Sequence, residues 1–181
     1  ASTPYVSTAP GDGCSNDWLQ RVEEYVRLQK NLGKGLVLLN EEPYHVTSYM
    51  TDTNHRARKD LQWALANYLL VKYSHTYFWW GGVQQYGGTP PRAHEYAARV
   101  GSPIGDVHPA EGVFMREYTN GLAIVNPDRA HTVTIRLPSG YRNLYGDSVA
   151  RLTMPPHSGN VLIGHRGMCR RATGASSTGR G

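Results

Sequence analysis

The sequence predicts two unlike parts, an α/β segment followed by an all-β antiparallel sandwich module, and three observations support this. A helix-then-strand pattern occurs twice in the first 80 residues. After Val113 the apolar periodicity changes to two, with a turn former every few residues. The last fifteen residues then lose apolar patterning altogether (GMCRRATGASSTGRG closes the chain).

The opening ASTPYVSTAPGDG is a Pro/Gly/Ser/Thr-rich loop with no starting Met, as in a processed chain or an excerpt. Ser15 or Asn16 can cap a helix starting near Asp17, with Asp17, Glu23 and Glu24 toward its positive end. Trp18, Val22, Tyr25, Val26 and Leu32 recur at helical spacing, and Gly33 supplies the stop. Gly35–Asn40 (GLVLLN) is apolar without alternation, as in a strand covered on both faces. The pattern repeats. Asp52 or Thr53 can cap a helix reaching about Tyr73, with Leu61, Leu65, Tyr68 and Leu69 on one stripe. The β-rich Thr76–Trp80 follows, closed by Gly81-Gly82. Two strands cannot cover both helices, so this part reads as a piece of a larger repeat. A linker from Thr89 to Pro109 has room for a short helix near His94 to Val100. Six strands are then expected: 113–119, 122–126, 132–137, 141–144, 148–154 and 160–163. Asn, Pro, Gly and Asp turns separate them. The units are 1–14, 15–104, 105–166 and a disordered basic tail, 167–181.

Twelve Tyr and four Trp stand against two Phe. Such rings pair a stacking face with a polar handle and suit half-wet clefts as well as cores. Of the net charge of +5, four charges come from a terminal cluster, Arg166, Arg170, Arg171 and Arg180, within a composition that buries too little apolar surface to order itself; the rest of the chain is nearly balanced. Nucleic acid is therefore not the expected partner. Cys14 and Cys169 could form a disulfide or stay as separate thiols. Eight His are dispersed singly, so neither a metal nor another cofactor is expected. No apolar run is long enough to span a membrane.

The stretches LQWALANYLLVK (61–72), Glu95-Tyr96, GSPIG (101–105), VFMREYTNGLAIVNP (113–127), YGD (145–147) and LTMPPHSG (152–159) share an order. That order resembles the C-terminal end of glycoside-hydrolase-like proteins that carry a TIM barrel followed by a small β domain. The resemblance covers roughly residues 15 to 165. It implies that Gly35–Asn40 and Thr76–Trp80 are the last two strands of an eight-stranded barrel. Such a barrel needs about 250 residues, so the α/β part would be a partial (β/α) barrel segment. The remaining strands would come from elsewhere.

Barrel chemistry sits at the C-terminal ends of strands. That selects Asn40, Glu41, Glu42 and His45 after the first strand, and Trp79, Trp80 and Gln84 after the second. Glu41 is the catalytic candidate; Asn40, Glu42, His45, Trp79 and Trp80 are candidates for substrate contact. Glycoside hydrolysis usually needs two carboxylates held about 5 to 10 Å apart. Adjacent residues of a strand point to opposite sides, so Glu41 and Glu42 are a poor pair. Asp52 or Glu95 could approach only by loop folding. The simpler reading makes the two glutamates a solvated strand exit and the tryptophans packing residues. Of Arg116 and Glu117, neighbours on opposite faces, one could bridge to the α/β part.

These readings converge on a fragment of an extracellular, polysaccharide-active glycoside-hydrolase-like protein, inactive as this chain alone and partnered by carbohydrate and by the missing barrel segment or another chain. The alternatives are a non-catalytic carbohydrate-binding or structural β module and, last, a polyanion binder acting through the tail.

Overall fold

The computed structural model describes residues 15–42, 56–82 and 94–164; the side chains of residues 15–17, 39–42 and 56–57 fall outside that description. The expected disordered tail, the N-terminal loop and both cysteines also lie outside the described residues.

Helix α1 (Ser15–Lys30) leads into β1 (Leu36–Glu42), and α2 (Arg56–Val71) into β2 (Thr76–Gly82). Helix α1 starts two residues earlier than its expected start at Asp17. It stops at a glycine: Gly33 has φ +60°, and the Lys34 amide donates to the Leu28 carbonyl at 3.1 Å. Leu32 falls past the end and is 51% exposed, so it is not part of the buried stripe.

Strands β1 and β2 are parallel neighbours, in register from Leu36 opposite Thr76 to Glu42 opposite Gly82. Among the described residues they form a two-stranded sheet and no closed barrel. Most strands are antiparallel, so the described residues form an α+β arrangement.

A 3-10 turn (His94–Ala97) stands where a short helix was expected. Beyond it lie β3 (His108–Ala110), β4 (Val113–Tyr118), β5 (Gly121–Asn126), β6 (Val133–Arg136), β7 (Arg142–Asn143), β8 (Arg151–Met154) and β9 (Ser158–Ile163). They build a five-stranded sheet, β3-β4-β5-β9-β7, and a two-stranded sheet, β6-β8. The expected strands 141–144 and 148–154 are shorter than their apolar patterns. Asn143 Oδ1 accepts from the amides of Tyr145 and Asp147, and this side-chain turn takes over from the ladder. Strand β3 falls at the end of the expected linker; Pro109 sits at its centre, and as an edge strand it tolerates the missing donor.

Every residue of β5 is buried, because both faces of its sheet are covered. Leu122 and Ile124 join Val113 and Leu162 against Ile135 and Met154 of the small sheet. Ala123 and Val125, with Val161 and Tyr118, pack on the helices, sharing a cluster with Val22, Tyr25, Trp63, Leu69 and Leu70. The other side of α2 meets the parallel pair, where Leu61 and Ala64 cover Trp80 and Phe78. Helix α2 is therefore core on two sides, and the apolar core is continuous across residues 104 and 105. Residues 102 to 104 also bond to β4, through Thr119 N to Ser102 O and Ile104 N to Glu117 O. Full burial of each of Leu61, Leu65, Leu69 and Leu70 contributes about 1.5–3 kcal/mol.

Two features fix α2 on the antiparallel sheet. At its middle, a Cβ on Gly159 would lie 2.8 Å from the Ala66 Cβ and 2.9 Å from the Trp63 Cα. At its end there is no glycine stop, and the last carbonyls are satisfied from outside the helix. Arg116, 1% exposed, donates from its Nη1 to the carbonyls of Leu70 at 3.0 Å and Lys72 at 2.6 Å, and from Nε to Gly105 at 2.9 Å. The Tyr118 hydroxyl donates to Leu69 O at 2.5 Å, and Gln29 Nε2 of α1 to Val71 O at 2.7 Å. Burial pushes the Tyr118 hydroxyl well above its usual range, so it remains a donor. Arg116 also stacks on the Tyr73 ring at 4.4 Å; Tyr73 donates to Asp106 at 2.7 Å, and Asp106 pairs with Lys30. Of the two neighbours read from sequence, Arg116 makes the bridge between the two parts.

Arg116→Met should destabilise the chain by about 3 kcal/mol or more, since several buried carbonyls lose a charged donor. Gly159→Val should cost about 1–3 kcal/mol through overpacking. Urea unfolding midpoints measure both, and an unchanged midpoint for Arg116→Met would remove the cap from this description.

Candidate functional site

The parallel register brings the two expected strand ends together. Asn40 lies opposite Trp80, Glu41 opposite Gly81 and Glu42 opposite Gly82. Strand β1 continues through both glutamates, so consecutive positions fall on opposite faces of the sheet. His45, Asp52 and Gln84 lie outside the described residues.

The two tryptophans differ. Trp80, expected beside the substrate as well, is 2% exposed and packs under α2. Trp79 is half-buried and, by alternation, faces away from the helix. On that same face Val37 and Tyr77 are register partners and are 50% and 64% exposed.

The chain after β2 folds back over this end. The Tyr96 hydroxyl donates to the Trp80 carbonyl at 2.9 Å, and its ring lies 6.2 Å from that of Phe78. Burial pushes the Tyr96 hydroxyl up to about 12. Beside it Glu95 is fully buried and accepts from the Tyr145 hydroxyl at 2.6 Å. Loop folding thus carries Glu95 to the side of α2's first turns, where its bond to Tyr145 joins the 3-10 turn to the β7–β8 loop. The His94 ring stacks on Tyr145, 5.8 Å between centroids, and its Nε2 donates to Leu144 O at 2.7 Å. Burial first, and then the carboxylate of Glu95, push the Tyr145 hydroxyl up to about 12.

A cavity of about 280 Å³ opens here between Tyr145 and Arg58, Lys59 and Gln62 of α2. Lys59 and Gln62 also line a second cavity of about 320 Å³ against the Pro155–His157 loop and the start of β9. In that loop His157 has φ +50°, its ring lies 4.0 Å from Trp63, and its buried Nε2 has no hydrogen-bond partner among the described residues. The loop is tied to the end of β5. Asn126, fully buried, donates to the carbonyls of His131 (2.9 Å), Met154 (3.1 Å) and Pro155 (2.9 Å). Asp128, with a carboxyl lowered to about 2 by the amide of Ala130 and then by His131, closes the neighbouring turn.

A family model described as hypothetical glycosyl hydrolase family 15 matches residues 5–122, well over half of the chain. The chain belongs to that family. The match runs through β1, α2 and β2 to the start of β5, so the strand ends of interest lie within this glycosyl-hydrolase-like region. No curated protein matches the chain. No group of three or more His, Cys, Asp or Glu that could hold a metal exists among the described residues, and none of their helices is long and apolar enough to cross a membrane.

Sequence reasoning named Glu95 as a distant possibility and missed Tyr145 and Gln62 beside it, and His157 in the neighbouring cavity. The only signal was the YGD and PPHSG motifs, which read as turn chemistry.

Burial, and then Arg129, lower the His157 imidazole below its ordinary 6.5. The unfolded chain therefore binds the proton first, so this contribution to stability is complete above pH 6.5 and is lost as pH falls toward the depressed folded value. The urea midpoint should drop between pH 7.5 and 5.5, and drop less in His157→Asn, which tolerates the positive φ and cannot titrate. Equal drops in both proteins would exclude His157 as the source.

Proposed function

We propose that this member of a hypothetical glycosyl hydrolase family contributes two consecutive units of a barrel to a polysaccharide-cleaving enzyme, and that the C-terminal ends of β1 and β2 form part of its site. Glu41 is the catalytic carboxylate in this reading, with Asn40, Glu42 and His45 beside it and Trp79 as the aromatic contact. The observation that carries it is the parallel pairing of β1 with β2, in register through Glu41 and Gly81, in a chain of this family. Barrel enzymes keep their chemistry at that end of their strands.

The exposed face bearing Val37 and Tyr77 supports a partner. Two parallel strands leave open edges and an apolar face that further strands would cover. Those strands belong to another segment or chain, and polysaccharide as substrate goes with an extracellular location. Glu95, a carboxylate near this end whose side chain is described, is buried and bonded to Tyr145, which makes it a structural group and no partner acid for Glu41.

This reading places the second carboxylate outside the chain, so the chain alone should show no steady turnover, because general acid–base help is worth about 10²–10⁴-fold. Residues 1–181 are assayed for new reducing ends against a panel of α- and β-linked polysaccharides. Steady turnover abolished by Glu41→Gln would mean that the active site is complete in this chain, against the proposal.

A further inference from the structure

We propose that the groove between the first turns of α2 and the Tyr145 turn is a saccharide subsite, with the Tyr145 ring as its stacking platform. The proposal rests on the carbohydrate reading above and names a site away from the β1 and β2 strand ends.

Tyr145 combines exposure with a fixed position. It is 47% exposed, yet its hydroxyl is anchored to a fully buried carboxylate, that of Glu95, and His94 stacks on its ring within 17° of parallel. An exposed ring held this way is already ordered, so a ligand that stacks on it loses little side-chain entropy on binding. Such a ring matches the apolar C–H face of a sugar, while the sugar hydroxyls at its rim need donors and acceptors. Those groups stand next to the ring: Gln62 Nε2 is 3.5 Å from the Tyr145 hydroxyl, and Arg58 and Lys59 line the same cavity.

The size also fits. The Tyr145 cavity is about 280 Å³, and its neighbour of about 320 Å³ shares Lys59 and Gln62 and continues to His157 and Asn160. Ligand sites usually start at about 300 Å³, so the two side by side suit more than one sugar ring. The PPHSG loop becomes the far wall of this groove.

The test is calorimetric titration of residues 1–181 with cellohexaose, xylohexaose, maltohexaose and pentagalacturonic acid, which separate neutral from acidic sugars. Binding of at least one is expected. Tyr145→Ala should weaken it about tenfold or more, and Tyr145→Phe, which keeps the ring, should retain most of it. Should Tyr145→Ala fail to fold, by its thermal melt, Lys59→Ala/Gln62→Ala decides: weaker binding supports the groove and unchanged binding overturns it. Binding that ignores all these changes but is lost in Trp79→Ala overturns the groove and leaves the carbohydrate reading standing. No binding of any of the four by the unaltered chain overturns both.

Discussion

The C-terminus of α2 ends in carbonyls that its own sequence cannot satisfy, and the rest of the structure is arranged around that need. The segment Leu69–Thr76 contains no glycine to reverse the chain. Arg116 and Tyr118 come from β4 and Gln29 from α1, and between them they serve Leu69, Leu70, Val71 and Lys72. A buried guanidinium is tolerated here because each of its described contacts is an oxygen or an aromatic face, at the negative end of a helix dipole. The arrangement forces β4, α1 and α2 to meet at one point, and the Lys30–Asp106–Tyr73 chain extends the meeting point to the surface.

From that fixed end, α2 runs between two sheets. Gly159 lets β9 approach its middle closely, and Leu61 and Ala64 press Trp80 from the other side. The first turns of α2 therefore stand in a set relation to the antiparallel sheet, whose loops bring Tyr145 and His157 to them. Function in this protein is consequently a matter of what two unlike sheets present along one helix, as well as of the strand ends themselves. Glu95 illustrates the point. Its neighbour Tyr96 holds the end of β2, and its own carboxylate holds Tyr145 of the β7–β8 loop.

Much of the fold was legible because it follows from periodicity. Helical stripes, the unalternating run at Gly35–Asn40 and the turn residues after Val113 each have a local cause, and the elements stand where those causes put them. What escaped were features set by partners distant in sequence. Arg116 looks like a surface charge in a strand until α2 arrives beneath it. Pro109 hides an edge strand, and Asn143 shortens two others. Leu32 fits the helical spacing and yet falls beyond a stop that Gly33 imposes. At the site, the register of β1 against β2 follows from equivalent places in a repeat. The Glu95–Tyr145 bond spans fifty residues that include five strands, and no local pattern encodes it.

The central claim is that α2 and the antiparallel sheet form one cooperative body joined by the Arg116 cap. Native-state hydrogen exchange across a series of urea concentrations tests it directly. Amides of Leu65–Leu70 in α2 and of Leu122–Val125 in β5 should converge on a single opening free energy. Exchange of the α2 amides through a lower-energy opening, with β5 still protected, would contradict the account.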